Sequence, residues 1–322
     1  MSEKTHDLVI IGAGPAALSA AIYTTREDID TLLYEKGVVG GLAAVTDVID
    51  NYPGFSNGVH GLELADSLRA QAERFGAVIE LGEVLKLTDE GEFKRLTITD
   101  GEVLAKTVLI ATGCDYKKTG VPGEKEFYAR GVHYCATCDG AFYRDKKLVV
   151  IGGGNSAVQE SIFLTRFASH IDLLVRSTIK ASDVLQKELQ TYIDSGKISV
   201  HLGVSPKEIV GSDQGVVKVV GTKDNKDIDY PTDGVFIFIG LRPNTEFLEG
   251  SGVVKDSIGF IVTDNNLETS VGGVFAAGDV RSGATMQIAS ASGEGATAAL
   301  KIREFLEGRL HDEAVPELEV TP

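Results

Sequence analysis

Leu8-Val9-Ile10-Ile11-Gly12-Ala13-Gly14-Pro15-Ala16-Ala17 is the stretch that decides the fold. Four apolar residues, most of them β-branched, make a short buried strand. A glycine turn follows at once, and an Ala-rich helical pattern then runs to about Arg26. Thr31-Leu32-Leu33-Tyr34-Glu35 is a second strand that ends in an acid. Strand, glycine turn, helix, strand and acid form the βαβ unit that holds a dinucleotide. Each part has a physical task. Gly12 permits the tight turn, Gly14 lets the backbone approach a pyrophosphate, and Ala17 lets the helix lie close on the sheet. The helix start, from Ala16 on, offers N–H groups and a positive dipole end to phosphate, while Pro15 only presets the first turn. Glu35 can accept hydrogen bonds from ribose hydroxyls.

A second copy appears downstream. Leu148-Val149-Val150-Ile151 runs into Gly152-Gly153-Gly154-Asn155-Ser156-Ala157, then a helical pattern, then Ile171-Asp172-Leu173-Leu174-Val175-Arg176. One glycine fingerprint is weak evidence. Two complete units at matched spacing are much stronger, because the strand and helix context is present twice. The copies end differently: Glu35 would repel a 2′-phosphate, whereas Arg176 could neutralise one. The first site therefore reads as FAD or NAD and the second as NADP, which suits a flavoprotein that exchanges hydride with a nicotinamide.

The composition agrees. The chain has 322 residues, 31 Lys+Arg against 47 Asp+Glu, and a net charge of −16. This length allows about two domains. The acidic balance argues against a nucleic-acid binder or an anionic-membrane binder. Three cysteines exclude a disulfide-stapled secreted scaffold. Met1 to Asp7 shows no signal-peptide pattern, and no apolar run approaches the ~18–20 residues of a membrane span. The expectation is a soluble cytoplasmic protein. Further strand-like runs, Val108-Leu109-Ile110-Ala111-Thr112-Gly113, Val235 to Gly240 and Gly273 to Asp279, precede a small-residue helix over about Thr285 to Glu307. The fold class is α/β: two Rossmann-like domains, the second inserted into the first. The acidic tail from His311, with two Pro, is expected to be poorly ordered.

The chemistry-bearing motif is Tyr134-Cys135-Ala136-Thr137-Cys138-Asp139, just ahead of the second glycine turn. A Cys-x-x-Cys pair can hold zinc or do redox chemistry. Structural zinc needs four ligands, and only Cys114, His133 or carboxylates could complete the set, so metal is set aside. Two cysteines at this spacing can close a reducible disulfide. Asp139 could shuttle a proton for a thiolate, or serve only as a turn or cap residue. Cys114 reads as a packed small residue, and His133 as local packing or a hydrogen bond.

Taken together, Gly12-Ala13-Gly14-Pro15-Ala16, Asn51-Tyr52-Pro53-Gly54, Ala111-Thr112-Gly113, Cys135-Ala136-Thr137-Cys138-Asp139, Gly152 to Ala157 and Ala276-Ala277-Gly278-Asp279-Val280-Arg281 resemble the low-molecular-weight thioredoxin reductases, FAD-dependent pyridine nucleotide-disulfide oxidoreductases. The resemblance covers essentially the whole chain, and the Cys-Ala-Thr-Cys-Asp run is its most specific part. It implies an FAD domain of residues 1–117 and 246–322, and an inserted domain of residues 118–245 for the nicotinamide nucleotide and the Cys135–Cys138 disulfide. FAD would contact Gly12, Gly14, Pro15 and Ala16 at the pyrophosphate and Glu35 at the ribose. Asn51 would lie near the flavin ring, Asp279 on the ribityl chain, and Gln287 and Ile288 at the flavin end of the last helix. Cys138 would face flavin, Cys135 would attack the partner's disulfide, and Asp139 would be the acid/base. The implied partner is thioredoxin or a thioredoxin-like protein, and the implied assembly a homodimer.

The sequence departs from that family where a 2′-phosphate would be held. The usual His-Arg-Arg with a further Arg is Val175-Arg176-Ser177-Thr178-Ile179-Lys180 here. Ser does not replace a guanidinium on phosphate, and Lys fits a bidentate role poorly. Met286 stands where Arg is common, and Gly40-Gly41-Leu42 replaces Gly-Gly-Gln. NADPH, held through Gly152, Gly154, Asn155, Ser156, Ala157, Arg176 and Lys180, is the favoured donor. Ferredoxin or a second flavin is the alternative. A ferredoxin–NADP reductase would not need Cys135 and Cys138, and a scaffold without turnover would not need Asp139 beside them.

Overall fold

The computed structural model describes residues 5–46 and 48–308. The expectation for the tail from His311 lies outside the described residues. The chain divides into two compact units, one of residues up to Asp115 and from Arg242 onward, the other of Tyr116–Leu241.

In the first unit the strand Thr5–Ile11 is central. It pairs in parallel with Thr31–Glu35 on one side and with Gly101–Ile110 on the other. Val78–Leu81 extends the sheet beyond Thr31–Glu35. Gly101–Ile110 changes neighbours along its length. Its start forms a hairpin with Lys94–Ile98, and its end pairs in parallel with Val274–Ala276. The period of two in a strand sorts the apolar run to both faces. Leu8 and Ile10 pack with the helices Pro15–Thr25 and Ile288–Leu306, while Val9 and Ile11 pack with Leu96, Leu248 and Val274.

The second unit repeats the plan. Lys147–Ile151 lies between His170–Val175 and Gly234–Ile237, all parallel, with Ile198–Leu202 at one edge and Val132–His133 at the other. Leu148 and Val150 face the helix Asn155–Leu164. Val149 and Ile151 face an antiparallel layer, Ser205–Ser212, Gly215–Lys223 and Lys226–Pro231, through Ile209 and Val219. In both units the glycine turn leaves the central strand at the point where the chain order reverses, which is where ligands bind on open α/β sheets. Among the described residues no helix is long and apolar enough to cross a membrane.

The last helix begins at Ile288, three residues later than the sequence pattern suggests. Met286 sits at φ +58°, and Gln287 is extended, so neither can belong to the helix. The helix then crosses Pro15–Thr25 at small residues. A Cβ at Gly295 would lie 2.1 Å from the Ala16 carbonyl oxygen, whereas one at Gly293 would meet nothing within 4 Å. Gly→Ala within a helix gains about 1 kcal/mol of propensity, but forced overlap costs about 1–3 kcal/mol or more. Gly293→Ala is therefore expected to stabilise the protein slightly, and Gly295→Ala to destabilise it. Urea unfolding of both variants checks this, and a stabilised Gly295→Ala would refute the tight crossing.

Candidate active site

At the first glycine turn, Gly12 lies at φ +101°, and a Cβ there would sit 2.5 Å from the Ala111 carbonyl oxygen. Gly14 is the opposite case, since its Cβ would meet nothing within 4 Å. Packing within the chain does not demand glycine at position 14. What lies in front of it is open space at the start of the helix Pro15–Thr25, which has no side-chain cap. First-turn N–H groups have no partner inside a helix, and Pro15 contributes none, so Ala16 and its successors supply the donors. An anionic group fits that cradle. Gly40 closes one side of the turn by donating its N–H to the Ala13 carbonyl at 2.7 Å.

Glu35 ends its strand as the sequence suggests, but it also braces the turn. Its Oε2 accepts from the Ala13 N–H, and its Oε1 from the Gly37 N–H, both at 2.7 Å. A carboxylate has about four lone-pair sites, so two remain for ribose hydroxyls.

The structure brings Asn51 and Gln287 together across 236 residues of sequence, with Asn51 Nδ2 donating to Gln287 Oε1 at 3.1 Å. Ile288 packs beside Ala43, Ile49, Val59 and Leu64. Asp279 is half-buried, and its carboxylate meets no hydrogen-bond donor among the described residues. Burial pushes its pKa up to about 6, and the charge of Glu294 adds to the rise. Glu294 is a residue the sequence pattern did not single out. It accepts the Gly278 N–H at 2.7 Å and takes both Nε and Nη2 of Arg281, at 3.0 and 2.8 Å. That pairing holds the Glu294 carboxylate against the Gly278 N–H and the Arg281 guanidinium. Cys114 is buried near Met286, and burial, with Asp279 and Asp115, pushes its thiol up to about 12. It is not a thiolate at neutral pH, consistent with a packing role.

In the second unit Gly152 repeats the constraint of Gly12, with a Cβ placed 2.3 Å from the Phe238 carbonyl oxygen, while Gly154, like Gly14, faces open space. Asn155 Oδ1 accepts the Ser182 N–H at 2.8 Å, and the Lys180 N–H donates to the Gly153 carbonyl at 2.6 Å. The loop after Arg176 is thereby tied to the turn. Ser156 is exposed at the helix start, and Ala157 is buried against Gly152. The side chains of Arg176 and Lys180 are exposed, and among the described residues neither meets a carboxylate.

Cys135 and Cys138 are joined as a disulfide, with Cα atoms 5.3 Å apart. Cys135 caps the short helix Ala136–Asp139, and its Sγ receives the Cys138 N–H at 3.1 Å. A donor is thus already aimed at the sulfur that would carry charge after reduction. Cys135 is half-buried and Cys138 exposed. His133, which the sequence reads as local packing or a hydrogen bond, is buried, with its Nδ1 3.2 Å from Asp139 Oδ2. Tyr134 is anchored beside the pair by its O–H to Glu124 Oε1 at 2.7 Å.

Comparison with known proteins agrees with this geometry. Residues 6–295 match the family model for pyridine nucleotide-disulphide oxidoreductases. The chain is 42% identical over 308 residues to the thioredoxin reductase of Bacillus subtilis (strain 168), covering 95% of this chain and 96% of that one. It is 38% identical to the thioredoxin reductase of Treponema pallidum (strain Nichols), covering 95% of this chain and 98% of that one. Among solved structures, thioredoxin reductase from Streptococcus pyogenes MGAS5005 superposes with a TM-score of 0.89 at 39% identity, over 95% of this chain and all of that one.

The unpartnered carboxylate of Asp279 has a measurable consequence. Its native pKa of about 6 lies above the ordinary aspartate value of 3.8. The native state therefore holds more protons than the unfolded chain between those values, and stability falls as pH rises through that window. Flavin-free Asp279→Asn is expected to be more stable than the flavin-free parent at pH 7.5, by on the order of 2 kcal/mol, with the difference gone below about pH 4. Urea unfolding at both pH values checks it, and parallel stability across pH would refute a half-buried, unpaired charge.

Proposed function

We propose, for a chain that belongs to the pyridine nucleotide-disulphide oxidoreductase family and within it to the thioredoxin reductases, that it reduces the disulfide of thioredoxin with NADPH as donor and FAD as carrier. The observation that carries this reading is the closed Cys135–Cys138 pair beside Asp139, in the same unit as the second glycine turn.

The residues of the first unit fit FAD. The open cradle at Gly14, Pro15 and Ala16 would take the pyrophosphate, below the turn set by Gly12. Glu35 would take ribose hydroxyls with its remaining lone pairs. Asp279, which lacks a donor, would accept one from the ribityl chain. The Asn51–Gln287 pair and Ile288 would border the flavin end. Bound there, FAD supplies two-electron transfer between a nicotinamide and a disulfide.

In the second unit the open space at Gly154 and the helix start at Asn155 and Ser156 would take the nucleotide pyrophosphate, with Gly152 and Ala157 setting the turn. The unpaired Arg176 and Lys180 support a 2′-phosphate. The relatives lend no support to ferredoxin or a second flavin over NADPH. Once reduced, Cys135 is the thiol that attacks the partner, helped by the Cys138 N–H. Cys138 is the thiol that accepts electrons at the flavin side, and Asp139 moves the proton. The same reading makes the enzyme a cytoplasmic homodimer.

Anaerobic titration of the flavin-loaded protein with NADPH is expected to bleach the visible flavin band at stoichiometric amounts. Cys138→Ser is expected to keep that bleaching and lose thioredoxin reduction. Persistent thioredoxin reduction by this variant would overturn the role given to Cys138. Arg176→Ala removes a charge-assisted contact of about 1.5–3 kcal/mol, so kcat/KM for NADPH is expected to fall about 10–100-fold while NADH use is unchanged. An equal loss for both nucleotides would refute a 2′-phosphate contact.

A further inference from the structure

We propose that His133 is a positioning residue for Asp139, oriented in turn by Tyr143, so that a Tyr143–His133–Asp139 chain sets the proton transfer of the disulfide-exchange step. The proposal rests on the disulfide-reductase reading above.

The backbone of His133 is pinned first. It lies in the two-residue strand Val132–His133, in parallel register with Val235 and Phe236. Its ring is 8% exposed, stacks on Phe236 at 5.2 Å, and meets the edge of Tyr143 at 5.2 Å. Both ring nitrogens face polar atoms: Nε2 is 2.6 Å from Tyr143 Oη, and Nδ1 is 3.2 Å from Asp139 Oδ2. A neutral imidazole carries one donor and one acceptor. A carboxylate oxygen only accepts, so facing Asp139 Oδ2 places the ring proton on Nδ1, and Nε2 is left to accept from the Tyr143 O–H. Burial, with Asp139 and Asp233, pushes the Tyr143 phenol up to about 12, so that O–H keeps its proton. That contact tightens as charge develops, and it fixes the carboxyl with Oδ1 left for a sulfur.

The step balances as follows. Cys135 gives its thiol proton to Asp139 and attacks one sulfur of the partner's disulfide. That S–S bond breaks, a Cys135–partner S–S bond forms, and the departing sulfur takes the proton from Asp139. Cys138 then gives its proton to Asp139 and attacks the Cys135 sulfur. The enzyme disulfide re-forms, and the second partner sulfur leaves with that proton. Two electrons and two protons pass to the partner. In both halves Asp139 alternates between acid and carboxylate, and the Nδ1–H of His133 holds the carboxylate form in place. The ionisable groups facing this chain are Asp139, Tyr143, Asp233 near Tyr143, and Tyr128 near Asp139.

The test uses flavin-loaded enzyme, chemically reduced, mixed with oxidised thioredoxin between about pH 6 and 9, a range that brackets histidine titration. His133→Leu keeps the packing and loses the donor. It is expected to slow exchange about tenfold, the scale of losing an orienting partner, and to change the pH profile. His133→Asn restores an N–H near the Nδ1 position and is expected to recover much of the rate. Tyr143→Phe, which leaves the ring contacts, is expected to slow exchange about two- to threefold by releasing the tautomer. Flavin reduction by NADPH, measured on the same proteins, is expected to be unchanged. The proposal is overturned if His133→Leu exchanges at the parent rate and pH profile, if His133→Asn is no better than His133→Leu, or if flavin reduction slows in step. Failure of the reduced parent enzyme to reduce thioredoxin would instead overturn the functional reading, and the proposal with it.

Discussion

Two steric contacts between a glycine and a backbone carbonyl hold the architecture together. Gly12 presses on the Ala111 carbonyl and Gly152 on that of Phe238, each so closely that a Cβ would lie 2.5 or 2.3 Å from the oxygen. Both glycines also lie at positive φ, +101° and +150°, where side chains are strained. In each unit the contact joins the crest of the central strand to the end of its neighbour, Gly101–Ile110 in one and Gly234–Ile237 in the other. A bulkier residue would push the turn off the neighbouring strand, and the helix start would move with it. The space in front of Gly14 and Gly154 exists because the preceding glycine fixes where the turn goes.

That constraint is local in sequence, which is why the fold was legible. Strand, glycine, helix and strand lie within about 25 residues of one another in each copy, and the pattern appears twice. The features that were not legible are set by packing between distant segments. Gly295 against Ala16 and the clamp of Glu294 on Arg281 and Gly278 have no local signature. Asn51, Gln287 and Asp279 were reached through resemblance, not through periodicity, and only the structure puts the first two in contact. The true helix start is not legible because Met286 occupies a left-handed backbone conformation that its side chain does not announce. His133 lies six residues before Asp139, across a strand end and a turn. No regular period links them, although a buried histidine needs a partner for each ring nitrogen and so invites the search.

The charged residue closing each βαβ unit shows how one backbone plan takes two chemistries. Glu35 is held by two backbone N–H groups of its own turn and its neighbour, so its position is set before any ligand arrives. Arg176 is exposed and, among the described residues, meets no carboxylate, and the loop after it is tied to the turn through Asn155 and Gly153. A pre-set acceptor lowers the entropy lost on binding, which favours a cofactor that stays. An exposed cation has to be ordered before it can hold an anion, which lowers affinity.

Asp279 extends the same logic to a group whose cost is visible without its ligand. A half-buried carboxylate without a donor is unfavourable by itself, and placing Glu294 beside it adds repulsion. Arg281 could have relieved Asp279, yet its guanidinium is spent on Glu294 and Thr263. The first unit thus places an acceptor just after the strand Val274–Ala276, beside a turn that offers N–H donors at the start of the helix Pro15–Thr25. Donors at one end and an acceptor at the other match a ligand that is anionic in its pyrophosphate and rich in hydroxyls along its chain. A ligand that donates to Asp279 offsets its desolvation, so affinity for that ligand and apparent stability should rise together.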